Sequence, residues 1–471
     1  MEYWALSSEL MKSYYNARKP IRMKSLRFPC STSRTQTAKT HQGLYFPQKS
    51  DVVLFFLLCI AGFSGSYIGS EQINSRAVKA GNVWFQADIG RVYANMTDRN
   101  SNHYRTKVHP IFSLATNPVV WALHKAGLQK QNAVRIIVSA IAGIWLALIY
   151  LVLRLLYLRY LDALLFSVLA AASASAFFWT TVPETYLFGS LSMLIVMAFV
   201  AVSEKRTFHS SWHVSISALA LSMTVTNWMT GIFATIVNNS YRRSILITLG
   251  ALLLITALWA FQNEIYPSSE FFIGDTEELN YVLPEIAGGV TEKAIVFFVY
   301  TMIMPAIQVL ENPYAAEWPL LTIQHVTIGS TGLLSWAMTV IWITLLMFGA
   351  WMAFRIPKQR KFKIVLGLTI VGQLSLHLLY GEETFLYSLH WIPFLVLLAA
   401  IGTHSSYRHH ILATIVVLIV GVSINNYQQF TAVTAVLNNE KYGLSKEEQK
   451  RSPDKQLYFS VKAANSMIVM I

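Results

Sequence analysis

The stretch 85–110, FQADIGRVYANMTDRNSNHYRTKVHP, brings Asp88, Arg91, Asp98, Arg99, His103, Arg105, Lys107 and His109 close together, with Tyr93 and Tyr104 among them. A carboxylate within hydrogen-bonding reach of a hydroxyl can take its proton. Arginine offers a planar fork of donors that fits a phosphate, and lysine adds a compact charge. Together these groups could activate a hydroxyl beside a bound phosphate. Asp88 is the first candidate for the base and Asp98 the second. Arg91, Arg105, Lys107 and His109 are the candidates for holding the anion. Plainer roles compete with this one. A loop aspartate is ordinarily solvated or caps a helix, and loop cations commonly touch anionic headgroups.

Other groups of the same kind recur between later apolar segments. Glu184 in VPET either caps the helix that follows or faces a cavity. Asn227 stands at a turn. Glu382, Glu383, Tyr387 and His390 cluster in GEETFLYSLH, with Tyr380 just before and His377 deeper in an apolar run. Ionisable groups at such depth face protein or water rather than lipid. Asn95-Met96-Thr97 matches a glycosylation sequon, a weak three-residue signal.

What positions these groups is a membrane. Apolar residues make up 54% of the 471 residues and charged residues 13%, about half the charge share of soluble domains. Repeated runs near 20 residues are long enough to cross a bilayer. The net charge of +13 lies largely in the N-terminal tail and in short loops, which argues for orientation in a membrane and against nucleic acid as a partner. Cys30 and Cys59 form neither a disulfide framework nor metal-site spacing.

In order, 1–50 reads as a basic, disordered cytoplasmic tail. The body, 51–425, reads as an all-α polytopic domain of about eleven spans. The first span, 52–69, leads to a large outer loop at 70–131, whose second half predicts a helix lying on the membrane surface and opened by His109-Pro110. Further spans are expected at 133–153, 163–180, 186–202, 213–226, 228–240, 244–261, 331–353, 364–380, 389–402 and 411–424. Between them lies an acidic outer loop, 262–292. Pro305 interrupts an apolar stretch at 294–310 that reads as re-entrant or interfacial. Residues 426–471 form a short outer tail, and the basic short loops put the N-terminus in the cytoplasm.

The arrangement resembles the GT-C superfamily of integral-membrane glycosyltransferases. The likeness rests on FQADIGR early in the first outer loop, RTKVHP before the interfacial helix, VPETYLFGSL at an outer turn, and GEETFLYSLHWIPFL late in the chain. It implies transfer of a hexose or pentose from a polyprenyl-phosphate donor, on the non-cytoplasmic face of a bacterial inner (plasma) membrane. The acceptor would be a glycan, lipid or protein hydroxyl, and Asp88 would serve as the catalytic base. No acidic pair such as DD or ExD stands at Asp88, so no cofactor is required by the pattern and a divalent metal is left open. A transporter or flippase of a lipid-linked or anionic solute is the reading from another class, and an inactive relative of the same fold is a third. Against transport stands the lack of a twofold hydropathy repeat.

Overall fold

The computed structural model describes residues 48–73, 75–274, 277–283, 288–312 and 318–438. The tail at 1–47 and the segment 439–471 lie outside the described residues. Among the described residues, seven helices are long and apolar enough to cross a membrane, and an eighth span forms if the bent pair Thr384–His390 and Ile392–His404 counts as one.

Helix α1 (Lys49–Gln72) starts where the Asp51 carboxylate accepts the Gln48 backbone N–H at 2.9 Å, an N-terminal bond made possible by an acid three residues in. The first loop then forms α2 (Ile89–Thr97), a 3-10 turn at Tyr104–Lys107, and α3 (Phe112–Lys125). The structure begins α3 two residues after Pro110, and Val119 and Trp121 on it are exposed (49% and 60%). Helix α4 (Lys130–Leu155) returns antiparallel to α1. The two backbones come very close: a Cβ on Gly143 would sit 2.3 Å from the Cys59 carbonyl oxygen. Small residues of this kind let membrane helices pack by direct backbone contact.

The apolar run at 163–180 does not form one rod. It is α5 (Tyr160–Ala172) and then α6 (Ala174–Trp179), broken at Ser173, whose hydroxyl caps α6 by accepting the Ala176 N–H at 3.2 Å. The backbone freed at the break is satisfied by another segment: Ala174 and Ser175 donate to the carbonyls of Met302 and Thr301 at 3.0 Å each. Backbone at membrane depth is tolerated in irregular form where protein covers it.

Helix α7 (Thr185–Ser203) is the centre of the bundle, with 72% of its apolar window buried, whereas the α1 window is 17% buried and turned outward. Two short helices follow, α8 (Ser210–Met223) and α9 (Trp228–Asn238), joined by a 3-10 turn at Val225–Asn227. Then comes the long α10 (Tyr241–Ile265). The stretch with Pro305 forms a helical turn at Val290–Ile295 that widens into a π-turn at Val296–Tyr300. It then becomes extended and enters a hairpin, β1 (Gln308–Glu311) against β2 (Pro319–Thr322), antiparallel with Val309 opposite Leu321. This hairpin was not expected from the sequence. Leu321 donates to the Val83 carbonyl at 3.0 Å, so the hairpin is tied to the first loop.

Helices α11 (Leu333–Arg355) and α12 (Arg360–Leu379) match two expected spans. The segment 384–404 bends by 55° between a 3-10 helix and α13 (Ile392–Ala400). The last helix, α14 (Arg408–Leu437), runs well past 425. Its Asn426 amide donates to the carbonyls of Ala172 and Met302 (2.8 and 2.9 Å), and its oxygen accepts the Met304 N–H at 2.8 Å. One side chain therefore closes the gap between the broken α5–α6 helix and the turn after 300.

Buried ion pairs lock one end of the bundle. Arg154 at the end of α4 contacts Asp51 at 2.6 Å, and the Tyr150 hydroxyl donates to the same carboxylate at 2.7 Å. Arg408 holds Asp162 through two hydrogen bonds, one of 2.8 Å.

Candidate functional site

Helix α2 begins at Asp88, but the Asp88 side chain makes no capping bond. It instead meets the Arg91 guanidinium at 2.5 Å. The carboxylate is 41% exposed and Arg91 14% exposed, so the pair is open on the acid's side. Asp98, at the other end of α2, is exposed and accepts the Asn100 N–H at 2.9 Å, a local turn bond. The charge of Asp88 bears on the buried Glu184, and that of Asp98 on the buried His103. Asn95 is buried, its amide donating to Ser101 and to the Asn102 carbonyl, which withdraws the sequon from the surface of the folded chain.

Glu184 does both things the sequence left open. It caps α7, accepting the Thr185 N–H at 2.8 Å, and it is buried close to Arg91 and Asp88. Burial above all raises its proton affinity; Arg91 and the two Thr185 hydrogen bonds pull the other way, and the Asp88 charge adds a little to the rise. The Thr185 hydroxyl lies 2.9 Å from Glu184 and 3.1 Å from the His109 Nε2. The His109 Nδ1 is 2.8 Å from the Met223 carbonyl, which can only accept, so Nδ1 carries the hydrogen. The single hydroxyl hydrogen of Thr185 therefore serves Glu184 or His109 but not both. Burial, reinforced by the Arg105 charge, pushes His109 well below the usual histidine range, so its neutral form is the favoured one.

Two cations of the loop, Arg105 and Lys107, already face carboxylates of the acidic loop. Arg105 bonds Glu278, and Glu278 in turn accepts the Tyr380 hydroxyl. Lys107, almost fully buried, lies 3.8 Å from Glu270. The Thr106 hydroxyl both donates to the Glu270 carbonyl and accepts its N–H, at 2.9 and 2.8 Å. Further along, Leu283 donates to the Leu379 carbonyl at 2.6 Å and Gly381 to that of Tyr281 at 2.9 Å. The acidic loop thus ties the first loop to the end of α12.

Aromatic rings continue the assembly inward. Tyr186 packs 5.2 Å from both Tyr387 and His390, and His377 stacks on Tyr387 at 4.5 Å. Below them the polar groups lack partners. Asn227 accepts the Gln373 amide at 3.0 Å, yet the Asn227 Nδ2, the Gln373 Oε1, the His390 Nε2 and both His377 ring nitrogens have none. Gly189 of α7 faces this cluster, and a Cβ there would sit 2.8 Å from both Asn227 and His390, so the helix approaches without a side chain.

Glu383 is fully buried against the hairpin, its Oε2 accepting the Thr322 hydroxyl at 2.5 Å, while Gln324 of the same hairpin accepts the Thr384 N–H at 2.9 Å. Burial raises the Glu383 carboxyl to about 7. A carboxyl with a folded-state value above its unfolded one holds its proton in the native state after the unfolded chain has lost it. Stability from this group therefore falls as pH rises from about 4.5 to about 7, with each tenfold change in proton affinity worth about 1.4 kcal/mol. Melting of the purified protein between pH 5 and 8 should show this decline, and Glu383→Gln should flatten it. An unchanged slope in the variant would assign the pH dependence elsewhere.

Asp88, Arg91, Arg105, His109, Glu184, Tyr387 and His390 are thereby linked through contacts or close charge, with Asn227 beneath them. Asp98 stays on the surface and Glu383 joins the hairpin instead. Glu382 is half-exposed, next to the buried Glu383. Glu278, Tyr186 and Gln373 belong to the cluster and were not singled out from the sequence. The net acidity of 262–292 facing a basic first loop was the signal for Glu278. No group of three or more His, Cys, Asp or Glu suited to a metal ion occurs among the described residues. The class defined by this fold is a predominantly helical integral-membrane protein. No protein-family model matches the chain, and no curated protein matches it in sequence.

Proposed function

We propose that this protein is a membrane glycosyltransferase that moves a sugar from a polyprenyl-phosphate donor to an acceptor hydroxyl on the outer face of the membrane. The observation that carries this reading is Asp88: a half-open carboxylate with no capping duty, held by Arg91 and set close to the buried acid Glu184. In this reading Asp88 takes the acceptor proton. Arg91 and Arg105, with Lys107 behind them, offset charge on the departing lipid phosphate. Preorganised groups of this kind stabilise developing charge without reorganisation. The acceptor is a glycan, lipid or protein, and no metal is assigned.

The proposal carries the finer topology with it: about eleven crossings, with the short pieces α5–α6, α8 and α9 counted, and a cytoplasmic N-terminus in a bacterial plasma membrane. Single cysteines at Asn100 and Lys358, in a background without Cys30 and Cys59, test the orientation. An impermeant thiol reagent added to intact cells should label the first and spare the second. Labelling of both, or of Lys358→Cys alone, removes the outer-face assignment.

The reaction itself is tested with purified protein, labelled polyprenyl-phosphate sugars and a cell-derived acceptor fraction. Free polyprenyl phosphate should appear without any membrane gradient. One observation favours a transporter instead: the unpartnered polar groups of Asn227, Gln373, His377 and His390 run into the bundle, as a solute path would. Intact donor in detergent, together with movement of donor across proteoliposomes, would decide for transport.

A further inference from the structure

Three side chains at the start of α7 share too few hydrogens. Glu184, Thr185 and His109 are only 3%, 1% and 4% exposed, so their polar atoms depend on protein partners. The Thr185 N–H donates to Glu184 Oε1 at 2.8 Å, and the Thr185 Oγ lies 2.9 Å from the same oxygen. On its other side this Oγ is 3.1 Å from His109 Nε2. The His109 Nδ1, 2.8 Å from the Met223 carbonyl, bears a hydrogen, so Nε2 of the neutral ring is an acceptor. The Thr224 hydroxyl, 3.3 Å from Nδ1, donates to that same carbonyl at 2.7 Å.

Take Glu184 as a carboxylate and His109 as neutral. Both flanking atoms then accept, and a single hydroxyl hydrogen lies between them. One of the two goes without a donor in a buried place, which is costly. One added proton removes the shortage. Held on Glu184, it gives O–H to Oγ and Oγ–H to Nε2. Held on His109, it gives Nε2–H to Oγ and Oγ–H to the carboxylate. The two forms contain the same atoms. They interconvert when the carboxyl O–H passes to Oγ as the Oγ–H passes to Nε2, which leaves Thr185 unchanged.

We propose that Glu184, Thr185 and His109 form a relay that stores one proton at the start of α7 and passes it between carboxyl and imidazole. The surrounding groups set where it rests. Arg105, Arg91 and His390 act on His109, whose ring lies 6.4 Å from that of Tyr186; Arg91 and Asp88 act on Glu184. Burial is the leading influence on both groups and favours the form without separated charge, and Arg105 opposes an imidazolium. The proton therefore rests on Glu184. Asp88, half-open to solvent, is the acid whose charge reaches it. The relay does not depend on sugar transfer, and neither does its test.

Infrared spectroscopy of the full chain in detergent, followed across pH, uses the proton itself as the probe. A Glu383→Gln background removes the other buried carboxyl that holds a proton near neutrality. A carboxylic-acid band should persist at pH values where an ordinary glutamate, with a pKa of about 4.3, is ionised, and Glu184→Gln should abolish it. His109→Asn keeps an amide able to donate to the Met223 carbonyl but removes the Nε2 acceptor. The Thr185 hydrogen is then free for the carboxylate, so the proton affinity of Glu184 should fall about tenfold, the effect of one hydrogen bond to a charged group. Thr185→Val cuts the path, and in that background His109→Asn should produce no shift. Thr185→Ser keeps the hydroxyl and should keep the parent titration, and monodisperse elution checks the fold of each variant. A band untouched by Glu184→Gln overturns the proposal, because the proton is not there. An unmoved titration in His109→Asn overturns it too, since burial alone then holds the proton. So does an equal shift with and without the Thr185 hydroxyl, which would have His109 act through space.

Discussion

Asp88→Asn should lower sugar transfer by about 10²–10⁴-fold, the usual loss when a general base is removed. The amide keeps the size of the carboxylate and can still face Arg91, so abundance and melting temperature should stay near those of the parent. Arg91 would lose its ion pair, but a pair this open to solvent contributes little to stability, about 0–1 kcal/mol. Asp98→Asn is the matched control: its carboxylate serves one exposed turn bond, and transfer should be retained. If Asp98→Asn abolishes transfer while Asp88→Asn does not, the base has been assigned to the wrong acid. If neither matters, the enzymatic reading of this loop fails.

The second large effect concerns folding. Asp51 and Arg154 are both buried, with side-chain exposures of 3% and 10%, and bond each other with Tyr150 on the same carboxylate. Arg154→Leu leaves that carboxylate buried without its cation, and breaking a buried pair in this way costs about 3–5 kcal/mol. Replacing both partners removes the stranded charge as well as the bond. The double variant Asp51→Leu/Arg154→Leu should therefore be more stable than Arg154→Leu alone. Reversible unfolding in mixed detergent reads the difference. A double variant no better than the single one would show that the geometry of the pair matters more than its charge.

The helical membrane class was legible in the sequence because long apolar runs without charge have few other solutions. The runs that became α1, α4, α7, α10, α11 and α12 began and ended close to where hydropathy put them. The breaks were not legible. A window average treats Ser173 as one polar residue in an apolar run, whereas its hydroxyl ends one helix and starts another. The hairpin at 308–322 was hidden for a related reason: β2 is buried throughout, so it shows no alternation of polar and apolar residues. In the site, the sequence singled out Asp88, Arg91, Arg105, His109 and Glu184 because charge beside apolar runs is conspicuous. It could not pair Arg105 with Glu278, 173 positions away. Such partnerships depend on which loops fold over one another.

Glu278 sits between Arg105 and Tyr380, so an anion approaching Arg105 finds the place already taken by a tethered one. Binding there is a substitution. The incoming group gains what Arg105 offers, less what Glu278 gives up, and the displaced carboxylate must find water or another donor. The net affinity is then small even where each contact is strong, and a phosphate with two charges competes better than a carboxylate with one. Release follows the same logic in reverse, since the tethered acid is always at hand to reclaim the guanidinium. A loop that supplies its own competitor favours quick exchange over tight retention.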